Sequence, residues 1–406
     1  MFQPKTFSGL DFRDKKITYA NIKMEKNLPV ITHVAINNLN SHLLDGGRIH
    51  DSDEVTSNLR SILTNKGASK LVHLAIPTQY SIIRKINTLP DLGEQELSRL
   101  LHFQIGDSIH LPFDEPAYDF VKIGSIHPKK PVEDDSVDLS LDELAGAAQE
   151  EMKGSRSEIL FFATSKVLAE DLAKASQTAG FKPKSAEIRG LALQRLLMYT
   201  HPNWLKETEM IVDISEESID LHIFKDELII FTRTMQISKD QYYASLTIPS
   251  ENEQTMGVEN DNAFGDDELT LKEIDHIEEE QYAEVAVTEV NEATSFLGQT
   301  LNKLTNSFDE EAYIIDLVNE IEKAQNFFRY SLWERDSEFK RIIVTGESTD
   351  QIFAPLSERM NIEVCRIDYS SVISSTFTEK QLLDTCSVAT GLAMRGNEKV
   401  DKKWKK

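Results

Sequence analysis

Two aspartates close apolar, strand-like segments in the same local setting, Asp11 in Leu10-Asp11-Phe12 and Asp213 in Val212-Asp213-Ile214. A charged turn follows each, Arg13-Asp14-Lys15-Lys16 after the first and Ser215-Glu216-Glu217-Ser218 after the second. Carboxylates at strand ends are hard oxygen ligands, and such ligands suit Mg²⁺ held through water. A third turn, Val344-Thr345-Gly346, comes late and carries glycine, the residue that lets a backbone approach a ligand most closely. The plainer alternative keeps Asp11 and Asp213 as strand-end turn residues. It makes Gly346 a structural turn glycine, because Glu347, Ser348 and Thr349 beside it are not glycines. Zinc chemistry finds no support, since the ten histidines lack ligand spacing and the two cysteines, Cys365 and Cys386, stand apart from any His cluster.

The elements that position these turns follow from hydrophobic periodicity. Residues 7–12, 16–23 and 30–37 predict a β-meander, 55–65 a helix with Val55, Leu59, Ile62 and Leu63 on one face, and 71–76 a strand stopped by Pro77. Asp91-Leu92-Gly93-Glu94 has the spacing of a capping box, ahead of a helical stripe of Leu97, Leu100, Leu101 and Ile105. This stripe predicts core, or the wall of a groove. Strands are expected at 117–123 and 159–164, an acidic loop at 128–157, and a helix at 167–179 that ends at Gly180. Another helix is expected at 191–197. A second meander then begins, with strands at 210–214, 219–224 and 228–236. Residues 249–280 are acidic with Lys272 the sole basic residue, which predicts a solvated insertion. A long helix at 312–332, a strand at 341–345, a helix at 351–360, a strand at 362–365 and an apolar helix at 385–394 complete the pattern. Two meanders opening two halves of similar size predict a duplicated α/β fold, with the two acidic turns facing each other across a cleft.

Composition bounds the partners. The chain has 406 residues, 40% of them apolar, and a net charge of −24, which opposes non-specific binding to nucleic acid or anionic lipid. The opening Met1-Phe2-Gln3-Pro4-Lys5 has no secretory apolar run, and the longest apolar runs are too short to span a bilayer. The ending Lys402-Lys403-Trp404-Lys405-Lys406 is expected to be a solubilising tail, the alternative being a short membrane-touching segment.

The ordered blocks of the chain carry a resemblance. Gly9-Leu10-Asp11-Phe12, Leu74-Ala75-Ile76-Pro77, Ile83-Arg84-Lys85-Ile86 and Leu111-Pro112-Phe113-Asp114-Glu115 are followed by Ala179-Gly180-Phe181-Lys182-Pro183 and Ile211-Val212-Asp213-Ile214. Glu320-Ile321, Phe327-Phe328, Val344-Thr345-Gly346 and Gly391-Leu392-Ala393-Met394-Arg395-Gly396 complete the series. In order and spacing these blocks resemble the actin-like ATPase superfamily and, more narrowly, the type IV pilus assembly proteins of the PilM family. The resemblance implies an actin-like (ribonuclease H-like) two-lobed fold. Its first lobe would span 1–205 with an inserted subdomain at about 85–185, and its second 206–384 with an acidic insertion at about 249–300. A helix at 385–396 would pack back on the first lobe, ahead of a basic tail at 397–406. It also implies a cytoplasmic scaffold, peripheral at the inner membrane, of a pilus or related secretion or competence machine. Such a scaffold would bind the cytosolic N-terminal tail of a PilN-like bitopic protein, in a groove on the first lobe, together with other platform components.

In that superfamily the turns clasp the phosphates of ATP and its Mg²⁺. By resemblance, Asp11, Arg13, Lys16, Asp213, Ser215 and Gly346 would surround the phosphates, Glu320 and Lys323 would meet ribose and base, and Asp11 and Asp213 would hold the metal. The family's glycines are missing, however. Arg13 stands where the first turn has Gly, Ser215 where the second has it, and Glu347 follows a lone Gly346. Asp14, Glu216, Glu217 and Glu347 would each repel a triphosphate by about 1 kcal/mol or more, with Arg13, Lys15 and Lys16 offsetting part. ATP is therefore expected as a conformational ligand at most, and hydrolysis is disfavoured. The rival readings are an active ATPase or kinase and an FtsA-like filament protein tethered to the membrane.

Overall fold

The computed structural model describes residues 6–26, 28–64, 68–127, 154–243, 308–331 and 337–397. The chain divides into two units, Met1–Ser238 with Ile314–Lys406, and Lys239–Tyr313. The acidic insertion expected at 249–300, most of the acidic loop at 128–157 and the basic tail from 398 lie outside the described residues.

Within the larger unit, β1 (Thr6–Arg13), β2 (Lys16–Glu25) and β3 (Leu28–Asn38) form an antiparallel meander. Next to β1 lies β6 (Leu71–Ile76), parallel, and next to it β10 (Lys182–Ile188), also parallel, so that the sheet order is β10-β6-β1-β2-β3. The second half repeats this plan. Its meander is β11 (Thr208–Ile214), β12 (Ile219–Lys225) and β13 (Leu228–Met235), and parallel strands β14 (Phe339–Gly346) and β15 (Glu363–Arg366) extend it from β11. Three antiparallel strands followed by two parallel ones occur twice, in the same spatial order. That is the duplication that the two meanders predict.

Side-chain alternation decides what each face of β1 meets. Leu10 and Phe12 point into a core with Val55, Leu59 and Ile62 of α1 (Ser52–Leu63) and Leu168 and Leu172 of α3 (Lys166–Ala179). The opposite face carries Gly9 and Asp11. There α4 (Arg189–Thr200) and α7 (Ser387–Met394) bring Leu193, Leu196, Leu392 and Ala393 into one core with Ala20 and Ile22 of the first sheet and Ile211, Phe224 and Ile343 of the second. Missing side chains allow α7 this close. A Cβ on Gly9 would lie 2.0 Å from the Ala389 carbonyl oxygen, and one on Gly391 would lie 1.9 Å from that of Ala192.

Residues 81–165 hold a separate three-stranded sheet. It runs β7 (Ser81–Ile86), β9 (Arg156–Ser165), β8 (Pro116–Ile126), all antiparallel, and α2 (Glu94–Gln104) covers it through Leu97 and Leu101. Of the span expected for the insert, about 85–185, α3 instead packs on the first sheet and β10 joins it as an edge strand. The polar alternation of Lys182-Pro183-Lys184-Ser185 hid β10, and it is an edge strand with a register shift at Pro183, where proline can sit without losing a ladder bond. The capping box also differs from expectation. Gly93 is the N-cap, and its N–H is met by Glu96 at 3.4 Å. Asp91 is drawn off to Lys122, 2.6 Å away, and to Ser125. A short hairpin of β4 (Leu44–Asp45) and β5 (Arg48–Ile49) precedes α1. In the second half, α6 (Thr349–Arg359) follows β14, and α5 (Glu310–Ser331) buries Leu317, Ile321, Ala324 and Phe328, the expected stripe.

In the smaller unit, Tyr243 bridges to Phe308, and the Asp309 N–H donates to the Tyr242 carbonyl. Tyr242 and Tyr313 meet edge to face at 5.2 Å.

Gly391→Ala tests the crossing of α7 over α4. The added methyl has no room beside backbone, so the variant is expected to lose about 1–3 kcal/mol or more in urea unfolding, whereas Ala393→Gly, without a clash, is expected to lose less.

Candidate functional site

The strand ends converge. Pairing of β11 with β14 places Asp213 opposite Thr345 and Ile214 opposite Gly346, and pairing of β1 with β2 turns the chain at Asp14 and Lys15. Asp11 and Asp213 come together there, each 1% exposed. The space between them is taken by side chains. Arg13 Nη2 lies 2.6 Å from Asp213 Oδ2, and its guanidinium also donates to the Ile214 carbonyl at 3.0 Å. Arg189, first residue of α4, donates to Asp11 Oδ1 at 2.8 Å, to Asp220 Oδ2 at 2.7 Å and to the Phe12 carbonyl. Asp220 on β12 further accepts from Thr78 and Thr234, each at 2.6 Å. Three carboxylates and two guanidiniums thus form one buried network, and it joins Asp11, Arg13, Thr78 and Arg189 of the first half to Asp213 and Asp220 of the second.

Around this network the turns pair with each other. Lys16 Nζ bridges Glu216 at 3.0 Å and Glu347 at 2.5 Å, and Lys15 meets Glu217 at 2.7 Å. Asp14, held at a positive φ of 24°, accepts from Ser215 at 2.5 Å and Ser218 at 2.9 Å. The carboxylates that would repel a triphosphate are therefore matched by the chain's own cations and hydroxyls. Gly346 is required twice over. Its φ is +97°, and a Cβ would lie 2.1 Å from the Ile214 carbonyl oxygen and 2.8 Å from Asp213 Oδ1.

Six expected site residues, Asp11, Arg13, Lys16, Asp213, Ser215 and Gly346, are thus brought together. Glu320 and Lys323 are not among them. They pair with each other on α5 at 2.7 Å, with Lys323 outside the helix's buried stripe, and among the described residues no bond links them to the network. Sequence reasoning missed Arg189 and Asp220. A signal existed for both. Ile219-Asp220-Leu221 repeats the apolar-Asp-apolar pattern, and Arg189 opens a helix that is otherwise apolar.

Electrostatics follows from the count. Three carboxylates against two guanidiniums leave one negative charge among buried side chains, so the carboxylate with the weakest partners takes up a proton most readily. Burial pushes Asp213 up to about 7, against the pull of Arg13. Burial works on Asp220 as well, but Arg189 and then Arg13 hold it down to about 2. His222, whose Nδ1 lies 2.7 Å from Thr232 Oγ1, is pushed down by burial to about 4 and is neutral at pH 7.

Asp213, Asp220 and His222 stand close enough together to hold a metal ion. The donor set does not fit one. Arg13 and Arg189 already lie within 2.7 Å of the Asp213 and Asp220 oxygens, and a divalent cation would have to displace two buried positive charges.

Two duplicated sheets joined at their β-turns, with a separate small sheet inserted in the first half, define a protein of the actin-like ATPase fold. The family model described as "Type IV pilus assembly protein PilM" matches residues 9–247, more than half of the chain, and the chain belongs to that family. Among solved structures it is similar to one titled "PilM-PilN type IV pilus biogenesis complex". The match has 16% identity, a TM-score of 0.64, and coverage of 97% of this chain and 99% of that one. It also matches ethanolamine utilization protein EutJ from Carboxydothermus hydrogenoformans at 9% identity and TM-score 0.42, over 97% of this chain and 90% of that one. No curated protein matches the sequence.

Arg189→Ala takes from Asp11 and Asp220 their nearest guanidinium, leaving Arg13 alone against three buried carboxylates, and is expected to cost about 3–5 kcal/mol in denaturant unfolding. Asp213→Asn tests the proton count. A carboxyl at about 7 in the folded chain and 3.8 as the ordinary value binds extra protons when folded, so its contribution to stability falls as pH rises from about 4 to 7. His222, lowered from 6.5 to about 4, acts in the opposite sense over pH 4–6.5. Removing Asp213 leaves the His222 effect unopposed. Stability of the variant is therefore expected to rise with pH across that window where wild type shows the opposing fall, as urea midpoints at several pH values would show.

Proposed function

We propose that this chain is a scaffold of a type IV pilus assembly machine, and that it holds the cytosolic N-terminal tail of a PilN-like inner-membrane protein in a groove of its first half. The observation that carries this reading is an apolar cavity of about 280 Å³ between two sheet edges. Strand β8 is the edge of the inserted sheet and β10 the edge of the first five-stranded sheet, and both line the cavity. An extended peptide lying there has strand edges for main-chain hydrogen bonds, the usual source of affinity in strand addition. Ala117, Ala163, Ala169 and Ala186 leave room for its side chains, while Val121 and Phe162 supply apolar surface. At one wall Glu187 is held by Arg195 at 2.5 Å and by Arg395. That ion-paired wall keeps the lining in place and offers polar groups to a peptide backbone.

Assembly through a captured tail suits the rest of the molecule. No helix among the described residues is long and apolar enough to cross a membrane. The net charge of −24 opposes direct attraction to anionic lipid, so attachment at the membrane falls to the partner. The similar solved structure, by its title, is a PilM assembled with PilN, which supports a partner of this kind.

The test is fluorescence anisotropy with a labelled peptide corresponding to the partner's cytosolic N-terminus. Val121 is 53% exposed and Ala186 lies at the surface, so both tolerate replacement without unfolding. Val121→Glu puts a charge into the groove and Ala186→Trp fills it. Each is expected to weaken binding by about tenfold or more, with the unfolding midpoint unchanged. Full affinity in both variants would place the tail elsewhere.

A further inference from the structure

The phosphate-clasping turns of the fold do not fit a nucleotide in this chain. Three observations agree. The cavity bounded by Arg13, Lys16, Ser215 and Glu347 among others is about 10 Å³, room for one water at most, and the larger cavity of about 270 Å³ beside Asp14, Glu217 and Ser218 is lined by Asp220 and Arg189, which are already paired with each other. Backbone amides that would face phosphate oxygens are already used, Ser215 N–H by the Ser218 carbonyl, Glu347 N–H by that of Ile214 and Gly346 N–H by that of Asp384. The carboxylates that would carry the cation hold guanidiniums instead, Asp213 with Arg13 at 2.6 Å and Asp11 with Arg189 at 2.8 Å.

We propose that Arg13 and Arg189 permanently replace the nucleotide and its divalent cation as the link between the two halves, so that the chain keeps its joined arrangement without ATP. The chemistry is a substitution of like for like. A cation between two strand-end aspartates neutralises charge that would otherwise push the halves apart, and a guanidinium does the same while staying covalently attached. Arg13 arises from the turn of β1 itself, and Arg189 from the start of α4, so both halves of the link come from the first lobe and grip Asp213 and Asp220 of the second. The outer pairs, Lys15 with Glu217 and Lys16 with Glu216 and Glu347, close the rim where phosphates would enter. Exchange of ligand cannot then drive opening, and control of the assembly has to come from protein partners.

Calorimetry and thermal melting of the full chain with millimolar ATP and Mg²⁺ test this directly. No saturable heat and an unchanged midpoint are expected. Saturable binding with a micromolar Kd, accompanied by a rise of several degrees, would overturn the proposal, because a ligand specific for the folded state must raise its melting point. Asp11→Asn separates the two ideas in a second way. As an ion-pair partner it is expected to lower the midpoint equally with and without Mg²⁺ and ATP, whereas a loss confined to the nucleotide-containing sample would mark Asp11 as a cation ligand and sink the proposal. Neither readout involves the peptide groove, so failure here leaves the tail-binding reading standing, and the reverse holds too.

Discussion

A buried charge network at the meeting of two sheets sets the terms for everything around it. Asp11, Asp213 and Asp220 lie at or near strand ends that point toward one another, and without cations between them the halves would be driven apart. Arg13 and Arg189 supply two positive charges and the hydrogen bonds that hold them, including those to the Phe12 and Ile214 carbonyls. Buried ion pairs rarely add much net stability, because desolvation cancels most of the attraction. Their value here is positional, since each guanidinium must reach particular oxygens on both halves. The network specifies one relative placement of the strand ends.

The glycines serve the same end. Gly9 and Gly391 remove side chains where α7 crosses β1 and α4, which lets a short apolar helix knit residues of both sheets into one core. Gly346 has a left-handed backbone beside Ile214 and Asp213, and so brings the third turn against the second. Its positive φ and the lack of room for a Cβ there are enough to require glycine at this position.

Side chains in place of glycine in the turns, on an actin-like fold, point to a division of labour. The plan of two sheets and three turns is present, while the side chains in the turns pair with one another. Meanwhile the inserted sheet and the first sheet leave two strand edges around an apolar groove, whose lining residues Ile188 and Leu191 flank Arg189 of the charge network. Exposed strand edges and small side chains line that groove, while the side chains at the centre of the fold pair with one another.

Much of this was legible in the residues. Periodicity placed the two meanders, the buried stripe of α5 and the helix that ends at Gly180, because each depends on local alternation or a cap. Asp11, Asp213 and Gly346 could be singled out at the ends of apolar strands, and Arg13, Lys16 and Ser215 through the resemblance to the superfamily's turns. Whether those charges faced a ligand or one another was not a local property. It depended on Arg189 and Asp220, which come from other elements and reach the site only when the sheets pack. Strand β10 escaped notice for a related reason, since its polar edge sequence becomes a strand only through pairing with β6. The order of elements and the chemistry of each turn belong to the sequence, whereas the partner of each charge was decided by tertiary contacts between residues some two hundred positions apart.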